Sequence, residues 1–464
     1  MGQVLPVCYE TPRLPRLFFV GRSVKQSKRT RMTPSKTGDA PSILFINQHY
    51  WPDWAATAQM LTDLAEYLAA EGMDVHVLCS RGHYLSGAMD VPAEETHNGV
   101  HIHRVRATAF GRETTLGRLT DYASFGASAL ARVLTGPAYD AIVTLTTPPL
   151  LPLVGAVAKR LRGQAYGIWS MDLHPDAEVA AGMFAEGGLP ARWLHALNDT
   201  SYRTADFVVD LGSRMKRRLL GKGVADDRLH TIPVWSRKEE IAPLPHADNP
   251  LRAELGLEDK FVVMYSGNAG VAHRFDEVLA AAKKLDGHPD IEFVFVGEGP
   301  KKDRIQAFAD AHALSNFRYL PYFPRERLKH SLPMADVHLL TLREAMAGIA
   351  VPGKLYGIMA AGRPVVMVGP EDSESGETIR LSDSGRVVDP SQEDNPAQAL
   401  HDALLALYHH ADERARLGGN ARGAFLEHFE RAVCCRAWAS LLDRSLNGGL
   451  EEDTSVHTDV MAGS

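Results

Sequence analysis

The chain has 464 residues, room for two or three domains, and its 45% hydrophobic and 23% charged residues are ordinary for a soluble globular protein. A net charge of −7 gives nucleic-acid binding no overall electrostatic support, and the absence of a run of about 18 apolar residues predicts no membrane-spanning helix. The four cysteines, Cys8, Cys79 and the adjacent Cys434 and Cys435, form neither a disulfide framework nor a zinc-ligand spacing, which suits a reducing cytoplasm.

Residues 1–40 carry eight Lys/Arg against Glu10 and Asp39, a net of +6 that leaves −13 for the remainder. The apolar piece Leu17–Val20 is too short for a signal peptide, so the segment reads as a disordered basic extension, with Met32 as an alternative start. Ser42–Asn47 reads as a strand, and His49, Trp51, Asp53 and Trp54 lie in the loop after it. Met60, Leu61, Leu64, Ala65 and Leu68 then recur at helical spacing with Asp63 and Glu66 opposite, Gly72 stops the helix, and Val75–Leu78 is the next strand. This unit opens a doubly wound sheet, in which ligands bind beyond the carboxyl ends of the strands.

Residues 81–98 read as a loop and Val100–Val105 as a strand. Leu116, Leu119, Tyr122, Ala123, Leu130, Val133 and Leu134 form the apolar face of a helix, which puts Phe125 outside, near Arg118 and Arg132. Such a face is either an ordinary surface or a contact for an anionic lipid surface. Asp140–Leu145 and Ala165–Ser170 are strands, and the second runs into Met171-Asp-Leu-His-Pro-Asp176. Asp172 and His174 thus stand at a strand's carboxyl end, where a turn serves either as a helix cap or as chemistry. Asp206–Asp210 and His230–Pro233 close a first domain spanning 41–235.

Pro243, Pro245 and Pro250 mark 236–250 as a linker. In a second domain, 251–424, Phe261–Ser266 leads to Gly267-Asn-Ala-Gly270 and a helix from about Phe275, and Ile291–Val296 leads to Gly297-Glu-Gly299. Strands at Phe317–Leu320 and Asp336–Thr341 precede Arg343-Glu344. In Val351-Pro-Gly-Lys-Leu-Tyr-Gly-Ile-Met-Ala-Ala-Gly-Arg-Pro-Val-Val366, Pro352 and Gly353 open a short helix, Gly362 and Pro364 end it, and a strand begins at Val365. A helix start with free N–H groups and Lys354 beside it suits phosphate, although an ordinary helix–strand joint has the same form. The remainder reads as helical, with a terminal helix at 425–448 and a disordered acidic tail at 449–464.

Four blocks recur in order: Phe45-Ile-Asn-Gln-His-Tyr-Trp-Pro52, Met264-Tyr-Ser-Gly-Asn-Ala-Gly-Val-Ala-His273, Phe295-Val-Gly-Glu-Gly-Pro300 and the Val351–Val366 segment, with Ile232-Pro-Val-Trp-Ser236 between the halves. Together they resemble the family 4 retaining glycosyltransferases of the GT-B fold, in the branch that builds bacterial surface polysaccharides of colanic acid or O-antigen type. The resemblance covers roughly residues 42 to 446. It implies two Rossmann-like doubly wound domains facing a cleft. It also implies metal-independent transfer, without a cofactor, from a nucleotide-sugar donor to a polyprenyl-diphosphate-linked glycan at the inner face of the cytoplasmic membrane.

On this resemblance, Gly267, Asn268, His273, Arg274, Gly297, Glu298, Gly353, Lys354 and Leu355 hold the donor, and Asp172 and His174 form the catalytic turn. His49, Trp51, Ala56 and Thr57 belong to the acceptor loop, and Arg118, Phe125 and Arg132 to the membrane contact. The chain also departs from the family. Asn268 and His273 stand where an arginine and a lysine are common, and Ile349 and Gly357 replace two glutamates, for which Glu344 is a candidate substitute in space. Ala55-Ala56-Thr57 stands where relatives often carry glycines. Two other readings accompany the transferase: a catalytically weak GT-B partner subunit of an assembly complex, and a nucleotide-sugar epimerase on the same fold.

Overall fold

The computed structural model describes residues 40–83, 87–88, 91–108, 110 and 114–447. Its first domain holds β1 (Ser42–Ile46), β2 (Asp74–Ser80), the small antiparallel ribbon β3 (Gly82–His83) and β4 (Gly87–Ala88), β5 (Glu94–His97), β6 (Val100–Val105), β7 (Ala141–Leu145), β8 (Ala165–Trp169), β9 (Phe207–Asp210) and β10 (Leu229–Thr231). Apart from the ribbon they form one sheet, ordered β10-β9-β8-β7-β1-β2-β6-β5, parallel except for β5. The second domain holds β11 (Phe261–Ser266), β12 (Ile291–Val296), β13 (Phe317–Leu320), β14 (Val337–Thr341), β15 (Val365–Val368) and β16 (Gly385–Val388) in a parallel sheet ordered β13-β12-β11-β14-β15-β16.

The central strands are continuous apolar runs because helices cover both faces of each sheet. Every residue of β7, β12 and β14 is buried. Each sheet reverses direction beside its first strand, at β1/β7 and at β11/β14, and a doubly wound sheet opens its ligand crevice at such a reversal. The turns after β11 and β14 therefore flank one crevice. β5 and β16 escape a hydropathy reading for local reasons. Glu94-Glu-Thr-His97 is a polar edge strand, and Gly385-Arg-Val-Val388 is short and half-exposed.

Two faces differ from the sequence expectation. The helix Thr115–Thr135 turns Phe125, Ala129 and Val133 inward at four-residue spacing, and Phe125 is fully buried among Leu44, Ile142 and Ala158. Leu116 and Leu119 are instead 75% and 56% exposed. The leucines at the helix's start set the wrong phase, because packing of the later turns against the sheet fixes its rotation. Arg132 is drawn inward too, 3.7 Å from Glu94. Asp63 is likewise buried rather than solvent-facing. Its carboxylate accepts from the Trp235 indole N–H at 3.0 Å and from Arg237, and its carbonyl accepts from Arg431.

That aspartate joins three parts of the chain. The helix Arg431–Asn447 lies on the first domain beside the helix Ala56–Ala70, with Trp438 set edge-on to Phe45 and tilted against Trp169. A short π-helical segment, Phe425–Phe429, precedes it. Within 236–250, Ser236 exchanges backbone hydrogen bonds with Phe429 and Arg431, and Asn249 caps the helix Pro250–Leu255. The expected basic extension, apart from Ala40, and the expected tail 449–464 lie outside the described residues.

Candidate functional site

Two glycine turns, after β11 and after β12, meet at the second sheet's carboxyl edge. Gly267, at φ +137°, passes so close to Lys354 that a Cβ would stand 3.0 Å from the lysine Cε and Nζ. A Cβ on Gly297 would lie 2.2 Å from the Gly267 carbonyl oxygen, and one on Gly299 2.3 Å from Asn268 Oδ1. Glycine is favoured at all three because each holds a φ of +137° to +145°, which L side chains rarely adopt, in addition to these close contacts. Ala269 N–H donates to the Glu298 carbonyl at 2.7 Å, which ties the turns together.

Lys354 is the cation of this cluster. Its ammonium donates to the Tyr265 hydroxyl at 2.6 Å, and that hydroxyl donates to the Asn268 carbonyl at 2.8 Å. Burial pulls the lysine pKa down to about 7. An ammonium has three donors, and Tyr265 takes one of them. Tyr265 thus supports the site, although in the sequence it is only one aromatic residue of a buried strand.

Several donor candidates take other roles. His273 is buried, its Nδ1 is 2.6 Å from the Thr341 carbonyl, and burial followed by the Lys354 charge lowers its pKa to about 3. It is therefore a neutral strut rather than a cation for a diphosphate. Arg274 is held by Glu277, with an Nε–Oε2 distance of 3.1 Å. The Glu298 carboxylate pairs with Lys302, so only its backbone serves the cluster. The Leu355 side chain is fully buried, and its N–H is held by the Pro352 carbonyl. Lys354–Ala360 is a seven-residue helix, and a Cβ on Gly353 would be 3.7 Å from Val234 of the first domain. At Gly357 a Cβ would stand 3.2 Å from the Leu332 side chain, so a larger residue there needs that leucine to shift.

The opposite wall is the turn after β8. Asp172 forms an isolated antiparallel bridge with Ala350, and Leu173 N–H donates to the Ile349 carbonyl at 2.9 Å. The backbone at Asp172 and Leu173 is therefore paired with the segment that leads into Lys354, and His174 follows it in the same turn. Burial raises the Asp172 pKa, with partial relief from His174. For His174 burial opposes the charge, but the Glu178 carboxylate, 2.8 Å from Nδ1, outweighs it, and the pKa is raised.

The loop after β1 is turned away from its expected use. His49 is buried 2.8 Å from Asp53, and Trp51 stacks on His97 of the edge strand β5 at 3.7 Å between centroids. His49 is closed off within its own loop, and half-buried Trp51 ties that loop to the edge strand. Ala56 is exposed and Thr57 half-buried at the start of the following helix.

A third set of contacts bridges the domains beside the site. Arg214, in the helix Ser213–Gly221, pairs with Glu344 at 2.9 Å and with Asp372. Arg218 Nε donates to the Ala347 carbonyl at 3.0 Å, and Met215 N–H donates to the buried Glu374 carboxylate at 2.7 Å. Glu344 thus serves as a bridge between domains. The sequence gives no local signal for these pairs because their partners lie more than a hundred residues apart.

Comparison with known proteins agrees with this architecture. Residues 56–235 match the glycosyl transferase 4-like domain, and residues 248–424 match glycosyl transferases group 1. The putative colanic acid biosynthesis glycosyl transferase WcaI of Escherichia coli K12 is 26% identical over 387 residues, covering 80% of this chain and 94% of the relative. Sucrose-phosphate synthase from Thermosynechococcus elongatus superposes with a TM-score of 0.67 at 19% identity, over 87% of this chain and 98% of that one. HepE of Anabaena, solved in complex with UDP and glucose, superposes with a TM-score of 0.65 at 16% identity, over 87% and 99%. With a 4-like domain, a group 1 domain and two Rossmann-like sheets facing one cleft, the chain belongs to the GT-B glycosyltransferases of the bacterial surface-polysaccharide branch.

Proposed function

We propose that the enzyme moves a sugar, with retained anomeric configuration and without a metal, from a nucleotide-sugar to a polyprenyl-diphosphate-linked glycan. The observation that carries this reading is the contact of Asp172 and Leu173 with Ile349 and Ala350, which sets the first domain's polar turn against the segment leading to Lys354. The diphosphate lies over Gly267, Gly297 and Lys354, and its charge returns the lysine to the ammonium form. In the transfer, the bond from the sugar's anomeric carbon to the diphosphate oxygen breaks. The acceptor hydroxyl oxygen bonds to that carbon on the same face, and its proton passes to the departing diphosphate. Stabilisation of that leaving group by preoriented donors is the main contribution the protein makes. That HepE, of the same fold, was solved in complex with UDP supports a nucleotide-sugar donor.

Among the described residues no helix is long and apolar enough to cross a membrane. A lipid-linked acceptor stays in the bilayer, so the enzyme works at the inner face of the cytoplasmic membrane as a peripheral protein. Buried Phe125 is not available for that contact. Exposed Phe110, Leu116 and Leu119, with Arg106 and Arg118 nearby in sequence, take its place. The test is mass spectrometry of the purified enzyme with a panel of nucleotide sugars and a membrane lipid extract, followed by NMR of the product's anomeric centre. A glycosylated lipid with the donor's anomeric configuration is expected. Nucleotide binding without turnover of any donor would favour the partner-subunit reading, which neutral His273 at the usual lysine position also favours.

A further inference from the structure

A cavity of about 480 Å³ opens beside the Val271–Arg274 stretch; His273 and Arg274 line it, and Lys354, Gly267 and Gly297 do not. Its size falls in the range of about 300–1,000 Å³ usual for small-molecule sites. Four cations line it, Arg274, Lys301, Arg304 and Arg343, against two carboxylates, Asp276 and Glu344. Both carboxylates are already committed, Asp276 to Arg304 at 2.6 Å and Glu344 to Arg214 at 2.9 Å. Arg274 is neutralised from outside the lining by Glu277.

Lys301 and Arg343 remain. Among the described residues neither has a carboxylate within ion-pair distance; Lys301 donates to the His273 carbonyl, and Arg343 to the Val271 carbonyl at 3.3 Å. Two cations thus share one cavity wall with only carbonyl oxygens as acceptors. Burial first, and then the neighbouring charges of Arg343 and Arg304, lower the Lys301 pKa, with partial relief from Asp276. A phosphate supplies the missing acceptors, and a guanidinium with a lysine beside it matches its oxygens.

We infer that this cavity is a phosphate site, separate from the donor site, and that it takes the phosphate group of a small organic phosphate. Free phosphate shares the chemistry but leaves most of the volume unfilled, so the sugar-sized ligand binds more tightly.

Calorimetric titration of the full chain with glucose 1-phosphate and with inorganic phosphate, at fixed ionic strength, with and without saturating UDP, tests this. Glucose 1-phosphate is expected to bind in the presence of UDP and to bind more tightly than inorganic phosphate. The double variant Lys301→Ala/Arg343→Ala is expected to lose at least about tenfold in that affinity, the scale of a charge-assisted hydrogen bond. Lys354→Ala, lying outside the cavity, should change it by less than about twofold. Because Lys301 and Arg343 also brace the loop, Lys301→Arg/Arg343→Lys is made beside them and should recover binding.

No binding at millimolar concentration, displacement by UDP, or unchanged affinity in the double variant would overturn the inference. Equal affinity for the two phosphates would overturn the organic ligand and leave free phosphate as the occupant. Failure of the wild type to bind any nucleotide sinks the donor site instead, and the titration without UDP still decides this one.

Discussion

The Lys354 ammonium ends 2.6 Å from the Tyr265 hydroxyl and 4.0 Å from the centre of the same ring, enclosed where the turns after β11 and β12 converge. An ammonium so placed is stabilised by one hydrogen bond and the ring's face, against a desolvation that brings its pKa to about 7. Binding a diphosphate favours the charged form. Nucleotide binding is therefore expected to take up a proton between about pH 7 and pH 9, with affinity falling as pH rises through that window. Calorimetry in buffers of different ionisation enthalpy measures the uptake. Zero uptake at pH 8 would separate Lys354 from the diphosphate.

The same residue predicts a trade between stability and binding. Its folded pKa lies below its unfolded value, so the folded chain binds this proton less readily than the unfolded chain. The resulting instability is full below about pH 7 and vanishes as pH rises through the unfolded value near 10.4. Lys354→Met is expected to melt higher than wild type at pH 7, with the gain shrinking toward pH 10, and to lose about 1.5–3 kcal/mol of donor affinity. A variant that melts lower and binds donor normally would make Lys354 a purely structural residue.

The polar turn of the first domain offers a kinetic test. Asp172→Asn and His174→Ala should each lower turnover at least about tenfold, because polar groups positioned beside a reacting centre contribute one to several kcal/mol. His174 is held by Glu178, so Glu178→Gln should act in the same direction through the imidazole and shift the acid limb of the pH–rate profile downward. Full turnover in all three variants would leave the turn with only its contact to Ile349 and Ala350.

The central strands were readable because they are largely apolar runs ending in glycine or a polar turn, as Ile291–Val296 before Gly297 shows, whereas β5 and β16 carry too little apolar pattern. The glycine cluster was readable for the same reason: Gly267 and Gly297 mark strand ends in one sheet. The roles of charged and polar residues were less legible, since pairing decides them. His273 looked like a partial cation and is a neutral strut on Thr341, while Arg274 is held by Glu277. Trp51 looked like a loop tip and stacks on His97. Lys301 and Arg343 carry no sequence signal of their own, because what distinguishes them among the described residues is that carbonyl oxygens rather than carboxylates accept from them.

Closure of the cleft rests on pairs that span the domains. Arg214 bridges Glu344 and Asp372, and Met215 N–H is bound by Glu374. Arg214→Ala is expected to open the two domains, seen as a larger radius of gyration by small-angle scattering and a raised KM with a smaller change in kcat. Burial raises the Glu374 pKa, so the folded chain binds that proton more readily than the unfolded chain. Stability from this group then falls as pH rises through the window between the unfolded and folded values. Glu374→Gln, which can still accept from Met215, should melt higher than wild type at pH 8 and equal to it near pH 4. An unchanged radius in Arg214→Ala would leave closure to the helix Arg431–Asn447.

The membrane contact is decided by the rotation of the helix Thr115–Thr135. Phe125 is fully buried, so Phe125→Ala removes core packing and should cost about 3–5 kcal/mol of stability. At a temperature where it stays folded, its flotation with anionic liposomes should match wild type. Leu116 and Leu119 are 75% and 56% exposed on the opposite side, so Leu116→Ser/Leu119→Ser should leave the melting temperature nearly unchanged. Each leucine that enters the acyl boundary contributes up to about 1.5–3 kcal/mol, and each nearby arginine about 1 kcal/mol at an anionic surface. Removing both leucines is therefore expected to abolish most flotation, and Arg118→Glu to reduce it in a salt-dependent way. Equal flotation of wild type and the double leucine variant would move the contact to another face, where Leu189 and Trp193, about 70% exposed at the start of the helix Leu189–Thr204, are the next residues to replace. No flotation of any variant, wild type included, would mean that the acceptor reaches the cleft from solution.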